Sequence, residues 1–219
     1  MNFAILIDGP SAAIVLGGTA LATLLRAGLG DCRLTLAKLW QLGQRRFDAA
    51  ATRAELALQV QEIRQDGLLR VQPHHFDDRE FAEVTDALIG ARSLEALLER
   101  HTAHRARRLA QSERAVRTLA QAAELAPVFG LAGTLISLSQ MPMDGTMRAG
   151  MAGAIAMAVV TTLYGLLLSN LVLAPLARIV ERAAQAEEAE RQAVIDWLAA
   201  QLAPSMPRRG ESAPVQAAA

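Results

Sequence analysis

The feature that most constrains this chain is a run of 29 residues, 149–177, that contains no charged side chain. Two further stretches are similar: residues 3–25 contain a single charge, Asp8, and residues 126–143 contain none. A helix rises about 1.5 Å per residue, so about 20 apolar residues cross the hydrocarbon core of a bilayer. Soluble cores seldom exclude charge over three such stretches. The sequence therefore predicts three membrane-spanning helices.

The composition favours helices and excludes several other classes. Only 4% of the residues are aromatic, whereas strands favour aromatic and branched side chains. The single cysteine, Cys32, excludes a disulfide framework and a cysteine-based zinc cluster. The formal net charge is zero, so we expect no nucleic-acid partner bound through bulk electrostatics. We predict an all-α integral membrane protein whose three transmembrane helices have long cytoplasmic helical extensions and assemble as a homo-oligomeric ring.

The N-terminal stretch is predicted to be a retained membrane helix rather than a signal peptide. It has no Lys or Arg before its apolar run, and Asp8-Gly9-Pro10 interrupts that run. Within the cytoplasmic part, apolar spacing predicts helices over 33–65, with Gly43 as the weakest point, over 78–89 and over 93–124. The predicted organisation is a first transmembrane helix (1–28), a cytoplasmic helical domain (29–124), a transmembrane hairpin (125–177), a cytoplasmic C-terminal helix (178–203) and a disordered tail (204–219).

The distribution of positive charge predicts the orientation of the spans. Basic residues follow the first span, precede the second and follow the third: Arg26, Arg33, Lys38, Arg45 and Arg46; Arg105, Arg107, Arg108, Arg114 and Arg117; Arg178 and Arg182. The turn 140–148 carries only Arg148, which Asp144 balances. Because positive charge marks the cytoplasmic side, we expect the N-terminus outside, residues 26–124 inside and the C-terminus inside.

No residue pattern indicates a soluble active site, so we expect no enzymatic activity, no catalytic residue and no cofactor. The segment 74–78 contains two His and two Asp, but nothing fixes their geometry, and we predict a solvated loop without a metal. His101 and His104 share a helix face, yet they lie in a stretch rich in Arg and Glu. We predict that both are solvated.

The spans are rich in small and hydroxyl-bearing residues. Small residues let helices approach closely in lipid, and we assign this packing role to Gly17, Gly18, Gly130, Gly133 and Gly165. For the threonines, a second interpretation is that Thr134 and Thr162, with Thr161 beside them, line a polar path for ions. The second and third uncharged stretches contain no Asp, Glu, Lys, Arg or His, although a proton relay normally needs an ionisable group at depth. A carboxylate for such a path would have to come from another chain.

These residues resemble the MotA/TolQ/ExbB proton-channel family. The segment 126–134 (APVFGLAGT) is similar to the "aPxfGxxGT" opening of a channel helix, and 156–165 (AMAVVTTLYG), which continues to APLA at 174–177, is similar to the next helix. The first span, with GGT at 17–19, resembles the second membrane helix of flagellar-stator members. The segment 64–69 (RQDGLL) resembles the "RxxGLLxLE" motif of their cytoplasmic domain.

The resemblance implies a pentamer of this chain around a dimer of a single-span partner of the MotB, ExbD or TolR type. The partner's aspartate would accept and release the ion, by default a proton, with Thr134 and Thr162 facing the path. Pro127 and Pro175 would be hinges at cytoplasmic helix ends, where a missing N–H permits bending. Arg64 would be a contact for a cytoplasmic rotor protein. Ion passage would drive rotation, and so couple ion-motive force to mechanical work at the bacterial inner membrane.

Two departures from the flagellar-stator pattern leave several roles open. First, those members have a membrane helix before the helix that contains GGT, and this chain starts too close to its GGT to include such a helix. Second, Gln72 stands at the position where the motif has Glu. Three spans with the N-terminus outside is the ExbB/TolQ arrangement. The alternatives are therefore a MotA-like motor, an ExbB/TolQ-like energiser of outer-membrane processes, a stator-like motor with another task, and a non-conducting membrane scaffold. The threonines do not distinguish proton from sodium.

Overall fold

The computed structural model describes residues 9–44, 47–66, 76, 78–139 and 148–205, and within these ranges the regular structure is entirely helical. This confirms the predicted all-α class for the described part of the chain. The helices are α1 (Gly9–Gln41), α2 (Ala49–Asp66), α3 (Arg79–Ala91), α4 (Leu94–Ser139), α5 (Arg148–Leu167) and α6 (Ala174–Leu202). A π-helical segment, Leu168–Leu173, joins α5 to α6, and a 3-10 turn, Ala203–Ser205, follows α6.

Among the residues that the structure describes, three helical segments are long and apolar enough to cross a membrane. They are Gly9–Gln41, Leu94–Ser139 and Ala152–Leu202, the last comprising α5, the π-helical segment and α6. Each includes most of one of the uncharged stretches, so the prediction of three candidate spans is confirmed. Large apolar side chains on all three segments are exposed, such as those of Leu25 and Leu135, as lipid-facing or partner-facing helices require.

The helix α1 bends at Gly28. This glycine has φ 84° and ψ 160°, a left-handed φ that glycine adopts without steric cost. The segments before and after it, 9–27 and 29–41, are therefore two helices that meet at an angle. The bend comes just after the predicted apolar span, two residues beyond Arg26, the first basic residue that follows this span. Farther along, the predicted helix over 33–65 is interrupted between Gln41 and Ala49, beside the weak point Gly43.

The chain divides into two compact units. The first, which we call the membrane unit, comprises residues 1–46 and 108–185, and the second, the helical unit, comprises 47–107 and 186–219. The described part of the membrane unit holds the apolar segments of α1, α4 and α5. The helices α4 and α6 each contribute residues to both units.

The helical unit has a core built from four helices. Leu56, Val60 and Ile63 of α2 recur at i, i+4 and i+7, which places them on one face. Similar stripes on the other helices complete the cluster: Phe81, Val84 and Leu88 of α3, Leu97 of α4, and Val194, Ile195, Leu198 and Leu202 of α6. Burying each such side chain stabilises the fold by about 1.5–3 kcal/mol. The end of α6 is thus part of the same core as α2 and α3, although more than 100 residues separate them in the chain.

A buried arginine organises the charges beside this core. The Nη1 of Arg191 lies 2.8 Å from Oδ2 of Asp78 and 3.6 Å from Oε2 of Glu80. Its Nε donates a hydrogen bond to Oε1 of Glu187 at 2.9 Å. The guanidinium carbon is 4.3 Å from the centroid of the Phe47 ring, a favourable cation–π distance. Asp78 also caps α3 by accepting from the N–H of Glu80 at 2.9 Å, so one cation links α6 to the start of α3.

The prediction that His101 and His104 are solvated is wrong. Their relative exposures are 4% and 7%. The Nε2 of His104 lies 3.2 Å from Oε2 of Glu83, and its Nδ1 lies 3.9 Å from Oε1 of Glu80. The Nε2 of His101 lies 3.2 Å from Oε1 of Gln192 in α6. The two histidines occupy the face of α4 that packs against α3 and α6, and the surrounding Arg and Glu residues occupy the other face.

We expect Arg191→Met to destabilise the helical unit strongly. Removing the cation takes the guanidinium away from the carboxylates of Asp78 and Glu80, and breaking a largely buried ion pair of this kind costs about 3 kcal/mol. Arg79→Met is the matched control, because Arg79 pairs with Glu83 at 3.1 Å while its side chain is 91% exposed, and exposed pairs contribute less than about 1 kcal/mol. Amide hydrogen exchange in α3 should accelerate about a hundredfold in the first variant and less than about fivefold in the second. Equal exchange in both would contradict this role of Arg191.

Candidate functional site

The helices α4 and α5 approach each other closely at glycines. A Cβ placed on Gly165 would lie 2.7 Å from the carbonyl oxygen of Ala126 and 3.1 Å from Cα of Gly130. One placed on Gly130 would lie 3.1 Å from the carbonyl oxygen of Thr161, and one on Gly133 would lie 2.9 Å from Cβ of Thr161. The first of these distances is too short for any real Cβ. The backbones of the two helices are in direct contact, as small residues permit in lipid.

The helix α1 joins this packing through one of its two central glycines. A Cβ on Gly18 would overlap the ring of Phe129 in α4, so this glycine makes room for an aromatic side chain. Gly17 differs, because a Cβ there would meet nothing within 4 Å. α1 also packs against α5. Within one copy of the chain, Gly18 lies at a helix contact and Gly17 lies on an open face.

Thr161 lies inside the contact between α4 and α5. Its side chain is fully buried and packs against the bare backbone of Gly133. Its hydroxyl lies 2.9 Å from the carbonyl oxygen of Ala158 and 3.1 Å from that of Met157, so it donates within its own helix. This geometry gives Thr161 a packing role in the single chain.

Thr162 and Thr134 lie differently, since both side chains are partly exposed. The hydroxyl of Thr162 donates to the carbonyl oxygen of Ala158 at 3.2 Å, and that of Thr134 donates to the carbonyl oxygen of Leu131 at 2.6 Å. Each oxygen keeps lone pairs that can accept further hydrogen bonds. A Cβ on Gly130 would lie 3.3 Å from Cα of Thr162, so Thr162 lies beside the turn of α4 that leads to Thr134.

The surfaces that carry these two threonines are otherwise apolar. On α5, exposed apolar residues occur seven and three positions before Thr162 and four after it: Ile155, Val159 and Leu166. On α4, Leu131 and Leu138 lie three before and four after Thr134, and both are exposed. Such spacing places each set on one helix face. Each face therefore carries a single hydroxyl in an apolar stripe that α4 and α5 leave uncovered in one chain.

Both predicted hinge prolines lie inside continuous helical structure. Pro127 is an interior residue of α4. Pro175 is the second residue of α6 and follows the π-helical segment Leu168–Leu173, where the N–H of Ala174 donates to the carbonyl oxygen of Ser169. A π-helical turn is wider than an α-helical one, and this relieves the clash between a proline ring and the preceding turn. The hinge role itself stays a prediction.

The sequence offers Ser169 as one of several hydroxyls suited to interhelical hydrogen bonds, but it does not locate the polar contact that joins the π-helical segment to α4. The hydroxyl of Ser169, a buried side chain, donates to the carbonyl oxygen of Ala123 at 2.7 Å. Hydrogen bonds of this kind help to fix helix pairs in a membrane. The irregular turn that brings Ser169 to α4 has no sequence marker except Pro175 soon after it. Ser169 therefore belongs with the residues that hold the site together.

The structure gives Arg64 a contact within the chain. Its Nε and Nη2 donate to the carbonyl oxygen of Gln201 at 3.3 and 3.0 Å, and Nη2 also donates to Oε1 of Gln201 at 2.7 Å. The last carbonyls of a helix lack partners in that helix, and a cation there is also favoured by the helix dipole. Arg64 thus holds the C-terminal end of α6 against α2. Its proposed contact with a rotor protein stays a prediction.

We expect Arg64→Ala to loosen the end of α6. Losing hydrogen bonds from an exposed guanidinium costs about 1 kcal/mol, so amide exchange at residues 199–202 should accelerate about fivefold. Gln65→Ala, which changes an exposed neighbour on the same helix, is the control and should leave the exchange unchanged. If Arg64→Ala also leaves it unchanged, the contact with Gln201 does not hold this helix end.

Several predicted features lie outside the described residues. They are Asp8, Gln72, the histidines His74 and His75, Asp77, and residues 140–147 of the turn between the second and third spans.

The fold and the packed spans define a polytopic helical membrane protein in which glycines bring α4 and α5 into contact and isolated hydroxyls lie on the uncovered faces of these helices. The model of the MotA/TolQ/ExbB proton channel family matches residues 74–193. The chain belongs to this family, and it is a multi-pass protein of the bacterial inner membrane.

Individual relatives extend the likeness over most of the chain. Motility protein A of Cereibacter sphaeroides is 27% identical over 197 residues, which cover 88% of this chain and 76% of that protein. Motility protein A of Borreliella burgdorferi is 34% identical over 74 residues, 34% of this chain and 28% of that protein.

Two solved structures have a similar fold. The flagellar MotAB stator complex from Bacillus subtilis matches with a TM-score of 0.77 and 18% identity, over 92% of this chain and 81% of that chain. The MotAB structure from C. jejuni matches with a TM-score of 0.83 and 16% identity, over 95% and 83%. At these identities the likeness establishes the fold. The sequence-based recognition of the family is confirmed.

Proposed function

We propose that this chain is the ion-conducting subunit of a stator-like motor that couples ion-motive force, by default that of protons, to mechanical work. The observation that carries the proposal is the pair of partly exposed threonines, Thr134 and Thr162, on otherwise apolar faces of α4 and α5. A hydroxyl facing lipid gains nothing from its exposed lone pairs, whereas one facing a polar path can accept from a hydrated ion or a protonated side chain. Membership of a proton channel family supports the same conclusion.

The proposal needs a second chain. Residues 126–139 and 152–177 contain no Asp, Glu, Lys, Arg or His, and a proton relay through a bilayer normally needs an ionisable group of this kind at depth. We propose that a single-span partner of the MotB type supplies an aspartate beside Thr134 and Thr162. The two similar solved structures are MotAB complexes, which supports a partner of this type.

We also propose that several copies of this chain surround the partner. The family resemblance implies five copies. The support is the uncovered apolar faces of α4 and α5, which a single chain cannot satisfy among its own helices. The proposed orientation has the N-terminus outside and the C-terminus in the cytoplasm, because basic residues such as Arg26 and Arg178 flank the spans on one side. In this orientation the helical unit is available to a rotor protein, with the surface around Arg64 as the proposed contact.

The experiment that tests the proposal is purification of the tagged protein from its native membrane in mild detergent, with mass spectrometry of the intact complex and of its components. We expect several copies of this chain together with a single-span protein that has an aspartate within its membrane segment. The periplasmic domain of that protein would distinguish a flagellar role from an envelope-energising one. A ring of this chain without such a protein would favour a non-conducting scaffold, and a monomer would contradict the assembly.

A further inference from the structure

The part of α1 that follows the bend at Gly28 has two distinct faces. One face packs within the membrane unit, where Leu39 and Leu42 contact the cluster formed by α4 and α6. The opposite face is uncovered. Leu29, Leu36 and Trp40 on it are 69%, 67% and 72% exposed. Together with the exposed Arg33, they recur at intervals of three and four residues and form one stripe, which we call the outer stripe.

The contacts at the two ends of this segment constrain its direction. Near its start, Nε of Arg114 in α4 donates to Oδ1 of Asp31 at 3.0 Å. Near its end, Leu39 and Leu42 pack against a cluster that contains Ala115 of α4. Eight residues of helix separate Asp31 from Leu39, which is about 12 Å, yet Leu39 packs against a cluster that contains Ala115, the residue next to Arg114. This indicates that the segment crosses the other helices instead of running along them. The bend at Gly28, with its φ of 84°, provides the change of direction.

The height of the crossing coincides with the end of an apolar span. The cluster that receives Leu39 and Leu42 also contains Ala177 and Val180 of α6. Ala177 is the last residue of the uncharged run, and Arg178 follows it. The crossing segment is therefore at the boundary between hydrocarbon and water, where amphipathic helices lie in the plane of the membrane.

The charges on this segment fit an anionic surface. Its only acidic residue, Asp31, is turned to the packed face and paired with Arg114. The uncovered face carries Arg33, and the exposed Arg26 precedes the bend. Arginine can keep its stem in apolar surroundings and its guanidinium at the phosphates, and tryptophan favours the same interfacial layer.

We propose that the outer stripe of α1 is a lipid-binding surface: Leu29, Leu36 and Trp40 lie among the upper acyl chains, and Arg33 binds the phosphate of an anionic phospholipid. The occupant of this face is the membrane itself. The segment then anchors the membrane unit at a fixed depth and orientation while the faces of α4 and α5 remain free for other contacts. This inference depends on the presence of the spans and not on conduction or on a partner.

Tryptophan fluorescence tests this directly, because the chain has two tryptophans, Trp40 and Trp197. In the full-length Trp197→Phe variant, reconstituted into phosphatidylcholine vesicles, Trp40 is the only source of tryptophan emission. We expect phosphatidylglycerol brominated near the headgroup end of its acyl chains to quench this emission at least about twofold. The Trp40→Phe variant is the matched control. Its Trp197 packs against the core of the helical unit and should not be quenched.

Failure of the brominated lipid to quench Trp40 would overturn the proposal, and acrylamide would then identify the reason. Quenching by acrylamide would place the stripe in water, and protection from both quenchers would place it against protein, for instance a second copy of this chain.

The role of the charge has its own test. Brominated phosphatidylglycerol should quench more strongly than brominated phosphatidylcholine at the same share of lipid, and Arg33→Gln should abolish this preference. An unchanged preference would overturn the phosphate contact.

Discussion

Gly165→Val is expected to unfold or disassemble the membrane unit. The new Cβ would have to occupy a point 2.7 Å from the carbonyl oxygen of Ala126 and 3.2 Å from Cα of Pro127. These are backbone atoms of α4, so no rotamer change can relieve the contact, and the helices must separate. Overpacking of this kind costs at least about 3 kcal/mol, which for a chain of this length lowers the melting temperature by about 10 °C.

Gly153→Val provides the control on the same helix. A Cβ at Gly153 would meet nothing within 4 Å, so this variant changes the same residue type in α5 without touching α4. The two variants and the parent protein should be compared by thermal unfolding in one detergent and by the amount recovered from membranes. Gly165→Ala should fall between the parent and Gly165→Val. Equal melting of Gly165→Val and Gly153→Val would contradict the close packing of α4 and α5.

Thr162→Val is expected to abolish most of the ion-driven output while leaving the protein folded. The substitution keeps the shape of the side chain and removes its hydroxyl, so an ion or a protonated carboxyl at this point would lose one hydrogen-bonding group. A lost contact of about 1–3 kcal/mol in a water-poor site corresponds to a rate about ten- to a hundredfold lower. The measurement is proton flux into vesicles that contain the purified complex, together with motility or another energised output in cells.

Thr161→Val is the matched control, because Thr161 is the adjacent residue and is fully buried against Gly133. Its hydroxyl donates within its own helix, so its loss should leave ion flux close to that of the parent and reduce stability by about 1 kcal/mol. Normal flux in Thr162→Val would exclude the polar path through this residue. Loss of flux in Thr161→Val, with normal amounts of folded protein, would move the path to the interface between α4 and α5.

Much of the fold was predictable from local patterns. The exclusion of charge over residues 149–177 depends on the bilayer and not on any tertiary contact, so the spans could be counted from the sequence alone. The helix α3 could also be located closely, at Arg79–Ala91 against the predicted 78–89, because its apolar residues recur at helical spacing. Both features are determined within one helix.

The errors and omissions concern contacts between residues far apart in the chain. His101 and His104 lie in a stretch whose charges suggest a solvated surface, and only α3 and α6, which pack against them, explain their burial. Arg191 is one of many arginines, and its partner Asp78 is more than 100 residues away. The hydrogen bond from Ser169 to Ala123 depends on a π-helical turn that no local sequence pattern predicts.

For the candidate site too, the sequence identified residue types, and the tertiary structure determined which of those residues are buried or exposed. Sequence alone selected Thr134, Thr161 and Thr162 as the hydroxyls of the spans, and it selected Gly130 and Gly165 as small residues suited to close packing. It placed Thr134 and Thr162 on the path with Thr161 beside them, but it contained no packing reason for separating the two neighbouring threonines. In the tertiary structure the contact between α4 and α5 buries Thr161 and leaves Thr162 on an uncovered face.

By itself, the sequence determined that this protein is a three-span helical membrane protein of a recognisable family, because membrane insertion and helix formation respond to the composition of single segments. The tertiary structure decided which side of each span is covered, which threonine is accessible and where α1 changes direction, at Gly28. Those properties depend on how closely two backbones approach. The distance between two packed helices is set by all the contacting residues together, so it cannot be read from the sequence of either helix alone.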